Sequence, residues 1–246
     1  MAGATLLARV QNWAEEHYLE TWFSALRDGP WTKGTTAYGE LLLLRCAFQP
    51  ESSWLISRLD ALRRVGYTDS RISAMRCGMA YSAAHLWGEQ GARTLATNIL
   101  VECIGCEVEE VRDAASEVFR VMKILRSDSE TDRLLDAVAA NPSVLRGTNA
   151  GVLIERLEMR ASEDPDRVYK ICIALLDVAA RKFGDMSTGL YVRGKYLVNI
   201  ALTLQRMGGE HRDRGLQIFE RLMELDNHTA KEVLEELDRR PLPRKR

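Results

Sequence analysis

Apolar residues three and four positions apart recur almost from one end of this chain to the other, and no stretch alternates strictly enough to make a half-buried strand. That spacing predicts an all-α fold. In "DSRISAMRCGMAYSAAHLWG", Ile72, Met75, Met79, Ala83 and Leu86 form one stripe, and in "DPDRVYKICIALLDVAARKFG" Val168, Ile171, Cys172, Leu175, Ala179 and Phe183 form another. Both runs stop at a glycine, a usual helix end. Start signals are as plain. Asp164-Pro165 offers a capping carboxylate and then proline at the first helical position, and "SDSETD" is rich in capping side chains before the run near Glu130. Together these signals predict helices over 4–26, 36–48, 51–65, 69–87, 89–104, 107–126, 129–140, 148–160, 165–183, 187–207, 210–225 and 228–239. The linkers between them are short, as expected where successive helices pack antiparallel as hairpins.

At 246 residues the chain is long enough to bury a core without disulfide or metal staples. No Pro/Gly/Ser linker divides it. The weakest point is "AANPSVLRGTNAG", where Pro142, Gly147 and Gly151 interrupt the period. We therefore expect an N-terminal array over 1–141, a C-terminal array over 142–239 that continues it, and a basic tail over 240–246. A net charge of −1 gives no overall pull toward nucleic acid or a membrane surface. Purely apolar runs such as Leu41 to Leu44 are far too short to cross a bilayer. The first residues lack a basic region and are broken early by Arg9, against the pattern of a secretory signal. Five cysteines scattered through apolar helical patterns read as reduced core thiols, which places the protein in the cytoplasm.

Cys103 and Cys106, in "CIGC", have the spacing of a redox pair or half a zinc site. A redox pair needs its first cysteine at the N-terminal end of a helix that follows a strand, where the dipole stabilises thiolate. Here the pair falls at a helix C-terminus. A structural zinc needs four ligands, and neither Cys46, Cys77 and Cys172 nor the isolated His17, His85, His211 and His228 have ligand spacing. What surrounds the pair is more informative. In "NILVECIGCEVEEVRDAASEVFRVM" an apolar helix meets a tight turn at Gly105, then acidic residues, then Val111, Arg112, Ala114 and Ala115. This pattern resembles a HEAT repeat, in which a second helix opens with Val-Arg-x-Ala-Ala. The resemblance implies a right-handed α-solenoid of antiparallel helix hairpins, with Arg112 pairing with acidic turn residues of an adjoining repeat. Glu107, Glu109 and Glu110 suit the positive end of the second helix, and the paired alanines admit a close neighbour.

The last third carries Leu202, Leu204, Arg212, Leu216, Phe219, Leu222, Leu225, Leu234, Asp238 and Arg239 at spacings similar to the helical-repeat regions of large bacterial ATP-binding proteins associated with antiphage defence. These are mainly packing positions. The resemblance implies a subunit or fragment of a defence complex whose ATPase module lies elsewhere. No functional residue of those proteins has a counterpart here.

Other chemistry is weakly signalled. "GLYVRGKY" (Gly189–Tyr196) matches GxxxxGK, but Tyr196 stands where a phosphate loop needs Ser or Thr, and the helical stripe Leu190, Leu197, Ile200, Ala201 and Leu204 runs through it. No catalytic motif is present, so the chain reads as a non-enzyme with no cofactor and no metal. The expected function is protein–protein recognition or scaffolding, with a larger subunit of the same complex as partner. Interaction candidates are Trp31 and Tyr38 in the glycine-rich break "RDGPWTKGTTAYG", Arg112, and the basic end formed by Arg239, Arg240, Arg244, Lys245 and Arg246. That basic end also supports a rival reading, a nucleic-acid-binding accessory subunit.

Overall fold

The computed structural model describes residues 73–146, 149–180 and 187–225, together with positions 56, 57, 59, 60, 63, 230–232 and 235. The helices expected over 4–26 and 36–48 lie outside the described residues, as does most of those over 51–65 and 228–239. Among the described residues all regular structure is helical, with no strand. The α-helices whose bounds fall among the described residues are, in order, α1 Ser73–Leu86, α2 Arg93–Ile104, α3 Glu109–Val121, α4 Ser129–Ala140, α5 Asn149–Arg160, α6 Pro165–Ala180, α7 Ser187–Met207 and α8 Gly209–Glu224. A 3-10 helix over Pro142–Arg146 lies between α4 and α5. The chain divides into two compact units, Met1–Val144 and Leu145–Arg246.

The start signals act as the sequence implies. Asp128 caps α4, its Oδ1 accepting from the Thr131 N–H at 2.9 Å. Asp164 accepts from the Arg167 N–H, and Pro165 is the first residue of α6. The stops are more varied. Gly105 ends α2 with φ −78°, an ordinary right-handed value, so its turn makes no use of glycine's freedom. The turn is closed instead from α3, whose Arg112 Nη1 donates to the carbonyls of Cys106 and Glu107, both at 2.7 Å. Between α7 and α8 glycine is required, because Gly208 and Gly209 have φ of +78° and +55°.

In the first unit α1 packs on α3 and α2 packs on α4, with α2 also touching α1 and α3. The α2–α4 pair is parallel. Arg93 Nη2 donates to Asp128 Oδ2 at 2.6 Å, Thr94 Oγ1 to Glu130 at 3.0 Å, and Arg133 Nη2 to Asn98 Oδ1 at 2.7 Å, so positions advance together along both helices. The α1–α3 pair is parallel as well: Arg76 meets Cys106, and Tyr81 lies within the field of Asp113 and Glu117. Small side chains make this pair close, with Ala80, Ser82, Ala83 and Ala84 of α1 and Ala114, Ala115 and Ser116 of α3 all buried.

The second unit repeats the scheme. Here α5 packs on α7, α6 packs on α8, and α7 packs on α8. Asn199 of α7 donates to Glu158 of α5 at 2.9 Å. Along the α6–α8 pair Asp166 meets Arg214, Tyr169 meets Gln217, and Asp177 meets Arg221 at 3.2 Å. Val168, Ile171, Cys172 and Leu175 of the α6 stripe are buried, and so are Leu197, Ile200, Ala201 and Leu204 of α7. A Cβ built on Gly215 of α8 would stand 2.5 Å from the Ala201 carbonyl oxygen of α7, so these two backbones nearly touch.

Two expected elements are shorter than the period implies. The helix expected over 89–104 begins only at Arg93, after the irregular residues 87–92. The helix expected over 107–126 starts at Glu109 and ends at Val121, where Met122 turns extended with ψ 108°. Met122 and Leu125 keep the apolar spacing and are buried, but from an irregular segment. A helix continued through 126 would leave only Ser127 before the Asp128 cap. That is too little chain to reverse direction and set the start of α4 beside Arg93.

Candidate functional site

The irregular segment after α3 forms the lip of a cleft of about 370 Å³ in the first unit, lined by Trp87, Arg93, Met122, Lys123, Ile124 and Arg126 among others. It sits where α1 and α3 end and α2 and α4 begin. Arg93 organises its floor. The guanidinium carbon lies 4.7 Å from the centre of the Trp87 ring, an arrangement that stabilises by about 1 kcal/mol when partly desolvated. Nη2 binds Asp128 Oδ2 at 2.6 Å and Thr131 Oγ1 at 3.1 Å, while the buried Nε has no partner among the described residues. Burial pushes the Asp128 carboxyl upward, but the Thr131 N–H and the Arg93 charge outweigh it and hold the group below its ordinary value. Arg93 is therefore a built-in, neutralised wall of the site.

The lip is different. Met122 and Leu125 turn inward, whereas Lys123, Ile124 and Arg126 are exposed, Ile124 to 68%. The residues lining the cleft include three cations and no acid. The start of α2 adds to this field, because it has neither a side-chain cap nor an acidic residue in its first turn. Nothing in the period pointed to this place, since Lys123 to Arg126 read as the last turn of a helix. The local clue was "KILR", two apolar residues between cations just ahead of a capping aspartate.

The residues singled out from the sequence fall elsewhere. Cys103 closes α2 and Cys106 follows in the turn before α3, both buried. Burial pushes the Cys103 thiol up to about 12 and that of neighbouring Cys77 up to about 11, the reverse of a reactive thiolate. Cys106 Sγ accepts from Arg76 Nη1 at 3.3 Å. Arg112, expected to reach an adjoining repeat, turns back onto its own loop, as described above. Trp31, Tyr38, Arg239, Arg240, Arg244, Lys245 and Arg246 lie outside the described residues.

The GxxxxGK match lies wholly inside α7, where a helix presents no cradle of free N–H groups to a phosphate. Asp166, Glu210 and His211 bring potential metal-ligand atoms within 4.8 Å of one another. Arg214 already occupies that cluster: it pairs with Asp166, approaches Glu210 at 3.6 Å and meets His211 Nδ1 at 3.2 Å. Its charge offsets the carboxylates that a cation would need. We read the cluster as a rung of the α6–α8 pair.

No protein-family model, no curated protein and no solved structure matches the chain. Among the described residues no helix is long and apolar enough to cross a membrane.

Proposed function

We propose that this chain is a non-enzymatic recognition module: an α-solenoid of antiparallel, HEAT-like helix hairpins that binds another protein through its ridged helical surface in the cytoplasm. The observation that carries the reading is the packing of alternate helices on one another, parallel for α1 with α3, α2 with α4 and α6 with α8, with α5 packed on α7 in the same order. Stacked hairpins produce that pattern, because each helix then meets both its hairpin mate and the equivalent helix of the next repeat. The close seam at Gly215 supports the antiparallel mate, since positions 201 and 205 before the Gly208-Gly209 turn face position 215 after it. Solenoids of this kind offer long surfaces rather than deep pockets, which suits binding over catalysis.

In this proposal the partner is a larger subunit of the same complex, in the antiphage-defence setting that the C-terminal resemblance implies. Leu204, Phe219 and Leu222 of that resemblance are buried packing residues, so it supports the repeat architecture more than the setting. The test is affinity capture of the tagged chain from its host, with mass spectrometry and size-exclusion chromatography at low and moderate ionic strength. A partner protein that co-elutes stoichiometrically at both supports the reading. Recovery of the chain alone counts against it. Recovery of nucleic acid that is lost steeply with salt would favour the rival, phosphate-binding reading.

A further inference from the structure

We propose that Cys103 and Cys106 form an oxidisable dithiol, in which Cys106 reduces a small hydroperoxide and Cys103 then closes a disulfide across the α2–α3 turn. The proposal is independent of the recognition reading. It starts from Arg76 of α1, a half-buried guanidinium whose Nη1 donates to the Cys106 Sγ at 3.3 Å. A cationic donor on sulfur is what an attacking thiol needs, because it stabilises the negative charge of the nucleophile. The end of α2 offers the wrong end of a helix dipole for that purpose, and the neighbouring helix supplies a full charge in its place. The same charge acts on the Cys103 thiol, and the two thiols feel one another, so both sulfurs lie around one guanidinium. The backbone also holds them at bonding range. The Cys106 N–H donates to the Cys103 carbonyl at 3.2 Å. A bond between residues three apart keeps their Cα atoms within about 7 Å, and a disulfide spans about 4.4–6.8 Å. Gly105, whose freedom the reduced turn leaves unused, lets the turn take up the change.

In the first step the Cys106 sulfur attacks the terminal oxygen of the hydroperoxide. The S–O bond forms, the O–O bond breaks, and the alkoxide takes the thiol proton and leaves as an alcohol, or as water where the oxidant is hydrogen peroxide. Cys106 is then a sulfenic acid. Cys103, whose thiol burial pushes up to about 12, does not compete for this step. In the second step the Cys103 sulfur attacks the Cys106 sulfur. The S–S bond forms as the S–O bond breaks, and the Cys103 proton leaves with the hydroxide as water. The two sulfurs together lose two electrons and the peroxide gains them. Cys77, beside Arg76 on α1, is the rival for the second step, since its thiol also feels Cys106. Burial, and after it the Glu110 carboxylate, push that thiol up to about 11. It stands on a separate helix, whereas Cys103 is tied to Cys106 through the turn.

The test treats the full, reduced chain with hydrogen peroxide, blocks the remaining thiols and maps tryptic peptides by mass spectrometry. Cleavage after Arg93 and Arg112 places both cysteines in one peptide, Thr94–Arg112, and Cys77 in another, Cys77–Arg93. Thr94–Arg112 should become two hydrogens lighter, unblocked and restored by dithiothreitol, while the protein stays folded by circular dichroism. Cys103→Ser should leave a Cys106 sulfenic acid that dimedone captures, and Cys106→Ser should leave no captured acid at Cys103. Arg76→Gln should slow the reaction by about tenfold, the loss expected for one hydrogen bond from a charged group, and Arg76→Lys should recover most of the rate. If Arg76→Gln fails to fold, the map of the unaltered chain and the two cysteine variants decide the assignment. A disulfide joining Thr94–Arg112 to Cys77–Arg93 would overturn it, as would dimedone on Cys103 in Cys106→Ser or an unchanged rate in a folded Arg76→Gln. It also fails if no lighter peptide forms at peroxide concentrations that oxidise free cysteine.

Discussion

Gly215→Ala should reverse the usual sign of a glycine-to-alanine change. In the middle of an unconstrained helix alanine is favoured over glycine by about 1 kcal/mol. At Gly215 the added Cβ would stand 2.5 Å from the Ala201 carbonyl oxygen, 2.8 Å from Gln205 Cγ and 3.1 Å from the Gln205 nitrogen. The Gln205 side chain can swing aside, but the carbonyl and the nitrogen belong to the backbone of α7. The two helices must therefore separate along a buried seam that includes Ala201, Leu204, Ile218 and Leu222. Overpacking of this kind costs about 1–3 kcal/mol, and a backbone obstacle puts this case near the top of that range. Subtracting the helix-forming gain leaves a net loss of about 2 kcal/mol. In urea unfolding followed by circular dichroism, with a slope of about 1–3 kcal/mol per molar, the midpoint should fall by about 1 M. Gly91→Ala is the control, because no atom lies within 4 Å of its Cβ and its φ is not positive. It should be neutral or stabilising by up to about 1 kcal/mol. If Gly215→Ala is as stable as Gly91→Ala, the α7–α8 backbones are not in contact, and the hairpin that supports the solenoid reading is lost with them.

Ser82 is fully buried, and its hydroxyl has no partner among the described residues, so Ser82→Ala should raise thermal stability by about 1 kcal/mol; a loss would reveal a hidden hydrogen bond. Asp128→Ala removes both the cap of α4 and the partner of Arg93, and should cost about 1–2 kcal/mol at neutral pH. Because the folded state holds Asp128 below its ordinary value of 3.8, this contribution is complete above that value and is lost as pH falls through the lower folded one. The stability gap between wild type and Asp128→Ala should therefore narrow on acidification, and a gap that widens below pH 4 would contradict the assignment. With their thiols pushed up to about 12, Cys103 and Cys172 should resist alkylation at mildly alkaline pH until the protein unfolds. Peptide-resolved mass spectrometry reads this directly, and rapid labelling of either in the native state would refute it.

The helices were legible wherever burial follows the helical period. The α7 range was read from its stripe to the residue, and α4 from its stripe and the capping residues ahead of it. Failure came at Met122, because an apolar residue every three or four positions is satisfied equally by a helix and by an irregular segment that buries Met122 and Leu125 and exposes what lies between. What ends α3 is the demand that α4 begin beside Arg93, a contact 35 residues away in sequence. Local pattern does not encode it. The cleft was missed for the same reason, since its walls come from the ends of α1 and α3 and the start of α2, which only packing assembles. Arg112 shows the converse: its position in the repeat pattern was plain, but its partners are carbonyls of its own turn, which side-chain identity does not announce.

The polar rungs between parallel helices have a consequence beyond the energy they supply. All but the part-buried Arg93–Asp128 pair are at the surface, where an exposed pair contributes only about 0–1 kcal/mol. Ridges of apolar side chains repeat with every turn, so an apolar seam alone would re-engage after a slip of about 5.4 Å. The rungs Arg93–Asp128, Thr94–Glu130 and Asn98–Arg133 tolerate no such slip, and neither do Asp166–Arg214, Tyr169–Gln217 and Asp177–Arg221. They act as detents along a sliding joint, choosing one alignment among several that the apolar core would accept. Inverting several rungs together should thus yield a protein that is still helical and compact but no longer unique, with broadened resonances and a shallow unfolding transition.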